Sequence, residues 1–295
     1  MNITIVGPGA IGSLWAIKLS QAGHSVSLWS RTQSSSTSIA LDDSAAITFS
    51  SNHVRDLQAA DLILFTVKAW QVENATTPLL KHVHKDAILL FMHNGMGALD
   101  SIESKISTNP VVIATTTQAA FKPSSEQVNH TGLGQTQLGA FNEKGTQCGF
   151  LVDVLNHALP DVMWNPTIQQ ALWNKLAVNC AINPLTGLNQ IKNGQLADSQ
   201  YLEALSDISQ ELYLVMQAEN IECELEALRS TITAVIQATA NNNSSMKQDM
   251  YYQRQTEIDF ITGYLIRRAE EHGIDVPVNR ALYQSVKKQE QSWTN

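Results

Sequence analysis

Short strand-forming runs organise the first half of the chain, at residues 3–6, 25–29, 62–67, 87–92 and 111–114, the last three nearly continuous in apolar residues. Strands with one solvated face alternate, whereas strands covered on both faces do not, so these runs predict a largely parallel sheet with helices on either side. Between the first two runs, Leu14, Trp15, Ile17 and Leu19 have helical spacing, and the pattern stops at Gly23. Residues 128–140, VNHTGLGQTQLGA, have the glycine-broken, period-two character of a hairpin closing the sheet, and 162–164 reads as a last short strand. Residues 32–56, rich in Ser, Thr, Asn and Asp, read as a surface loop with one short strand. After Pro166 no strand pattern recurs. Residues 167–182, 199–219, 224–241, 245–272 and 278–291 have helical spacing, broken by PLTG, Asn220, NNNSS and GIDVP. The expected fold class is α/β plus all-α: a doubly wound sheet over residues 1–165, then a helical domain over 166–295.

The turn after the first strand adds chemistry to this pattern. It reads GPGAIG: Gly7 allows the tight turn, Gly9 lets backbone approach a pyrophosphate, and Gly12 lets helix and strand pack closely, with the helix N-terminus facing the anion. Strand, glycine turn, helix and second strand together predict a Rossmann-type dinucleotide-binding domain. At the end of the second strand an NAD-binding chain offers Asp or Glu to the adenosine ribose; this chain offers Ser30 and Arg31, which favours a 2′-phosphate and hence NADPH. Later runs also end in polar groups: Lys68 and Gln71 in VKAWQ, Asn94 in HNGMG, and Thr115 to Thr117 in TTTQAA. Ligands of open α/β sheets sit off the carboxyl ends of strands, so a cofactor is expected there, with His93 and Gln118 read as plain loop residues.

In the second half, LWNKLAVNCAINPLTGL places Lys175, Asn179 and Asn183 at four-residue steps, one polar stripe on an otherwise apolar helix. A lysine flanked by Leu172 and Val178 is poorly hydrated unless it faces a polar cleft. Burial lowers a lysine pKa, which suits proton donation near neutrality. Ser245, Asp249, Gln253 and Glu257 also step by four along the expected helix 245–272, and by spacing alone they read as an exposed face.

Length and composition exclude several classes. A chain of 295 residues with 43% apolar content has material for two ordinary cores. The net charge of −8, without a basic cluster, argues against nucleic acid. No apolar window is long enough to span a bilayer, and the start MNITIVGPG enters a strand without a basic leader, so no membrane partner and a cytoplasmic location are expected. Cys148, Cys180 and Cys223 form no CxxC spacing, and no His/Cys/Asp/Glu set has ligand spacing, so neither disulfides nor a metal is expected.

GPGAIG, VKAWQ, HNGMG, TTTQAA, LWNKLAVNCAINPLT, NGQL, SSM, TEIDFI and HGIDVP, in this order, resemble the ketopantoate reductase (2-dehydropantoate 2-reductase) family, over nearly the whole chain except residues 32–56. The resemblance implies NADPH-dependent reduction of 2-dehydropantoate in pantothenate synthesis, and a helical domain of the 6-phosphogluconate dehydrogenase C-terminal type. It implies that Lys175 donates the proton, and that Asn179, Asn183, Asn193 and Ser245 hold the substrate, with Asn94 touching substrate and cofactor. It further implies that Gly7, Pro8, Gly9, Ala10, Ile11, Gly12, Arg31, Lys68, Gln71 and Ala120 line the NADPH site, and that Glu257 sits where cofactor and substrate meet. The polar stripe then faces a cleft between two domains. The oligomer is expected to be a monomer or homodimer. Two rivals share parts of this pattern: a reductase of another 2-oxo acid, and a non-catalytic NADP-sensing module with no use for Lys175.

Overall fold

The apolar runs of the first half form the centre of a sheet in the computed structural model, which describes residues 1–293. Contacts divide the chain into two units, Met1–His93 with Ala98–Ile168, and Asn94–Gly97 with the chain from Gln169 onward. The first unit begins β1 (Asn2–Val6), α1 (Ala10–Gln21), β2 (Ser25–Trp29), β3 (Ser36–Leu41), β4 (Ile47–Ser51), α2 (Val54–Gln58), β5 (Leu62–Phe65), α3 (Val72–Thr76) and β6 (Ile88–Met92). It continues with α4 (Glu103–Ile106), β7 (Val111–Thr116), β8 (Ala119–Ser124), β9 (Gln127–Gly132), β10 (Thr136–Ala140), α5 (Leu151–Ala158) and β11 (Val162–Trp164).

The strand order is β11-β10-β7-β6-β5-β1-β2-β4-β3-β9-β8. The central pairs β2·β1, β1·β5, β5·β6 and β6·β7 are parallel, and every residue of β5 and β6 is buried. Phe65 and Phe91, partners in the β5·β6 register, stack at 4.5 Å. The chain leaves β1 for β2 on one side, while β5 lies on the other, so β1 ends at the topological switch point where such sheets bind ligands. α1 packs against β1, β2, β8 and β9 with Trp15 fully buried.

Two sequence expectations for this unit need correction. Residues 32–56 hold two antiparallel strands, β3 and β4, and a short helix rather than a loop with one strand. Their hydroxyl-rich sequence hides a half-buried ribbon in which only Ile39, Leu41 and Phe49 supply core. Residues 128–140 are no hairpin: β9 pairs with β8, β10 pairs with β7, and the two lie towards opposite ends of the sheet. Alternation and glycine identified the strands correctly but carry no information about partners.

The second unit contains α6 (Ile168–Asn189), whose first residue belongs to the first unit, then α7 (Ser199–Ala218), α8 (Leu225–Ala238), α9 (Ser245–Tyr251), α10 (Thr262–Glu271) and α11 (Pro277–Ser292). Its core includes Trp173, Leu176, Ala177, Leu212, Ile232 and Leu265. PLTG does not end α6, which runs through Pro184 to Asn189. Proline removes one helical hydrogen bond, but Leu185 and Thr186 are buried, and Thr186 Oγ1 donates back to Ile182 O at 2.8 Å, so packing overrides the local break. Gly187 is a packing glycine, since a Cβ there would stand 2.7 Å from Met250 Sδ. The helix expected over 245–272 is interrupted: α9 stops at Tyr251, Gln253 takes φ +52°, and a single tight turn at Ile258–Phe260 precedes α10. The apolar period persists because Ile258, Ile261 and Leu265 still face the core.

Candidate functional site

In the first unit the glycine turn is built by close approach. Gly7 has φ +83°, and a Cβ on Gly12 would lie 2.3 Å from Thr66 Oγ1 and 2.6 Å from Gly7 O, so neither position tolerates a side chain. Thr66 Oγ1 donates to Gly7 O at 2.8 Å, and Gly7 N–H donates to Trp29 O at 2.9 Å, fixing the turn to strands on both sides of β1. At Gly9 a Cβ would meet only Gly7 O, at 3.9 Å, so space is open beside the first turn of α1, where N–H groups lack helical acceptors. Pro8, Ala10 and Ile11 complete the turn, half-buried. These features fit a dinucleotide pyrophosphate.

Arg31 is exposed after β2. Its loop is braced by Asn52, which accepts from Ser30 N–H at 2.9 Å and donates to Ser34 O at 3.0 Å from a backbone at φ +61°. Lys68 follows β5 at the same end of the sheet as the glycine turn, by the parallel β1·β5 register. Gln71 shapes the Lys68 turn, its Oε1 accepting Lys68 N–H at 3.2 Å. Ala120 lies on β8, two residues before Lys122, whose Nζ donates to Pro8 O at 2.7 Å. Gln118 is buried and bonded to His130 and Gly134, a structural role.

In the second unit, α6 carries Lys175 and Asn179 half-buried and Asn183 at 7% exposure. The pKa of Lys175 falls from 10.5 to about 8, burial lowering it and the Glu257 carboxylate partly restoring it. Glu257 is not on an exposed helix face, as its spacing implied: it is 4% exposed, outside any α-helix, at the start of the 258–260 turn. Asn94 Nδ2 donates to Glu257 Oε2 at 3.2 Å, and Met96 N–H donates to Phe260 O at 2.8 Å, so HNGMG is clasped to this turn. Gly95 permits the clasp, at φ +79° with a Cβ that would meet Phe260 O at 2.4 Å.

The remaining polar candidates are joined by a chain of bonds. Asn193 N–H donates to Asn242 O at 3.1 Å and its Nδ2 to Thr239 Oγ1 at 2.9 Å, leaving Oδ1 buried without a hydrogen-bond partner. Ser244 caps α9, accepting from Lys247 N–H at 3.0 Å, and shares a 2.7 Å bond with Thr186 Oγ1, one turn beyond Asn183. Ser245 opens α9 and is exposed. The structure thus brings together Lys175, Glu257 and Asn94, and separately links the segments of Asn183, Asn193 and Ser245. Sequence reasoning missed Lys122, Asn52 and Ser244. For Ser244 a signal existed, because a serine just before an apolar helical pattern is an N-cap signature. Among the described residues no group of His, Cys, Asp or Glu is placed to hold a metal, and no helix is long and apolar enough to cross a membrane.

Residues 3–143 match the family ketopantoate reductase PanE/ApbA, and residues 167–290 match its C-terminal counterpart. The chain is 55% identical over 294 residues to a 2-dehydropantoate 2-reductase of Vibrio cholerae, covering 100% of this chain and 99% of the relative. A crystal structure of a PanE/ApbA family ketopantoate reductase from Ralstonia eutropha aligns with TM-score 0.89 at 26% identity, covering 100% of both chains. D-mandelate dehydrogenase, solved in complex with NADH, aligns with TM-score 0.89 at 25% identity, over 99% of this chain and 100% of the other. A glycine cradle on a doubly wound sheet, a helical unit with a lysine of lowered pKa, and these full-length matches agree: the chain is a member of the ketopantoate reductase PanE/ApbA family.

Proposed function

We propose that this chain reduces 2-dehydropantoate to (R)-pantoate with NADPH, in cytoplasmic pantothenate and coenzyme A synthesis, with Lys175 as proton donor. The observation that carries this reading is the placement of Lys175 on the helix that also bears Asn179 and Asn183, acted on by the buried Glu257 carboxylate of another segment, with burial drawing the lysine pKa down to about 8. A bound nicotinamide supplies hydride to the ketone carbon. The chain's own task is to hold the 2-oxo acid and answer the charge that grows on its keto oxygen. An ammonium does both: it stabilises the developing alkoxide electrostatically and then delivers the proton. Asn183 offers a buried amide to the substrate, and Asn193 an unpartnered Oδ1 that can accept from a hydroxyl. Turnover of 2-dehydropantoate, followed by loss of NADPH absorbance, tests the proposal directly. No turnover above background would overturn it.

The D-mandelate dehydrogenase neighbour supports a second reading, reduction of an aromatic 2-oxo acid with NADH. The two separate on both substrates. For the cofactor, Arg31 offers a guanidinium that can engage a 2′-phosphate and is exposed to do so. Arg31→Ala is expected to weaken NADPH by about 10- to 150-fold, the equivalent of a charge-assisted contact of roughly 1.5 to 3 kcal/mol, with NADH little changed. Equal losses in direct binding titrations would remove Arg31 from the site.

For the substrate, Asn183→Ala and Ser245→Ala are expected to raise KM for 2-dehydropantoate by roughly 5- to 30-fold, one hydrogen bond of about 1 to 2 kcal/mol, with NADPH affinity unchanged. Ser244→Ala should instead lower the melting temperature, because it removes a helix cap and the bond to Thr186. A shared stability loss in all three would make Asn183 and Ser245 structural.

A further inference from the structure

The glycine turn carries a cation that no role above uses. Lys122 reaches from β8 to the start of α1, where Nζ donates to Pro8 O at 2.7 Å and to Ser13 Oγ at 2.8 Å, while Ser13 Oγ itself donates to Pro8 O at 3.0 Å. Both partners of the ammonium are neutral, and among the described residues no carboxylate lies within ion-pair distance of it. Lys122 is half-buried, and burial lowers its pKa with no opposing cause. A partly buried charge without a counter-ion is unfavourable in the empty protein, and a bound anion relieves it. The place it occupies is one where an anion is expected: beside the open space at Gly9 and the positive end of a 12-residue helix.

We propose that Lys122 is a positioning residue for the phosphates of the dinucleotide. It pins the Pro8 carbonyl, so that this oxygen is occupied and does not face the anion, and it adds a full positive charge next to the N–H groups of α1. The inference rests on the dinucleotide reading of the turn. It differs from the role of Arg31 in what it recognises, because the pyrophosphate is common to NADPH and NADH whereas the 2′-phosphate is not.

Neutralising Lys122 should therefore weaken both cofactors by the same factor. One charge acting on a phosphate across a short gap is expected to contribute about tenfold in affinity, equivalent to about 1.4 kcal/mol. The experiment is a set of direct titrations of NADPH and NADH against the full-length protein and its Lys122→Met, Lys122→Gln and Lys122→Arg variants, with the melting temperature of each protein without cofactor. Lys122→Met and Lys122→Gln should lose about tenfold for each cofactor and keep the cofactor-free melting temperature, and Lys122→Arg should restore binding. Glutamine keeps a donor without the charge, so a glutamine variant that binds like wild type would overturn the electrostatic part of the proposal. Unchanged affinity in both neutral variants, a loss confined to NADPH, or failure of both neutral variants to fold would overturn it altogether, the last by making Lys122 a structural strut. If wild type binds neither cofactor, the dinucleotide reading itself falls, an outcome distinct from wild-type binding that the substitutions leave intact.

Discussion

Lys175→Ala is expected to lower kcat for 2-dehydropantoate reduction by about 10² to 10⁴, the usual loss for a positioned general acid, while NADPH still binds. The expectation follows from three properties of this lysine. It sits on α6 with apolar neighbours, its pKa is drawn down to about 8, and an acidic residue acts on it electrostatically. A surface lysine whose stem merely covers apolar area would leave turnover within a few-fold of wild type. A lysine needed for folding would lower the melting temperature on removal. The pKa sets the opposite sign for stability. The folded pKa lies below the ordinary 10.5, so the charged form is the disfavoured one in the folded chain. Each pKa step is worth about 1.4 kcal/mol, so holding the ammonium charged opposes folding by on the order of 3 kcal/mol. That burden is fully present below pH 8. Between about pH 8 and 10.5 the unfolded chain holds the proton that the folded chain has released, and stability from this group rises with pH through that window. Lys175→Ala relieves this burden but takes a counter-charge from the buried Glu257 carboxylate, so the two effects oppose and the melting temperature near neutrality is expected to hold. The activity of wild type should run the other way, with kcat falling above about pH 8 as the donor loses its proton. A kcat within tenfold of wild type would remove Lys175 from the mechanism.

Much of this site was legible before the structure, for reasons that differ by residue. The glycine turn is a local device: Gly7, Gly9 and Gly12 act through their own backbone and immediate neighbours, so spacing alone implies the tight turn and close approach that the structure has. The stripe of Lys175, Asn179 and Asn183 is equally local, because one helix fixes their common face. Glu257 was misjudged by its spacing because the period of four continues across a segment that is not one helix. The bond from Thr256 N–H to Glu290 Oε1, at 2.8 Å and 34 residues away, is among the contacts that hold this segment in its irregular path. Such a contact leaves no trace in local pattern. Lys122 was invisible for the same reason, since its partners Pro8 and Ser13 lie more than a hundred positions away in sequence. Pro184 erred in the other direction, because a strong local stop signal gave way to the burial of Leu185 and Thr186.

Glu257→Gln should give the second large effect and the most diagnostic one. Glu257 is buried, accepts a hydrogen bond from Asn94, and raises the pKa of Lys175 against the pull of desolvation. Glutamine keeps the size and an acceptor for Asn94 but removes the charge. The ammonium is then left with burial and without this counter-charge, a situation that carries a penalty of about 3 to 5 kcal/mol for a buried pair and is escaped by losing the proton. The pKa of Lys175 in the variant must lie below the wild-type value of about 8, because the cause that raised it is gone. At neutral pH most of the donor is then deprotonated, and kcat is expected to fall by roughly 10- to 500-fold, the fraction that a shift of this size leaves protonated. Lowering the pH should restore activity towards the wild-type rate, with the alkaline limb of the profile displaced to lower pH, since the proposed donor is intact and lacks only its proton. A structural defect would depress the rate at every pH, and loss of a substrate contact would raise KM without moving the limb. A variant profile with its alkaline limb at the wild-type position would show that Glu257 does not act through Lys175.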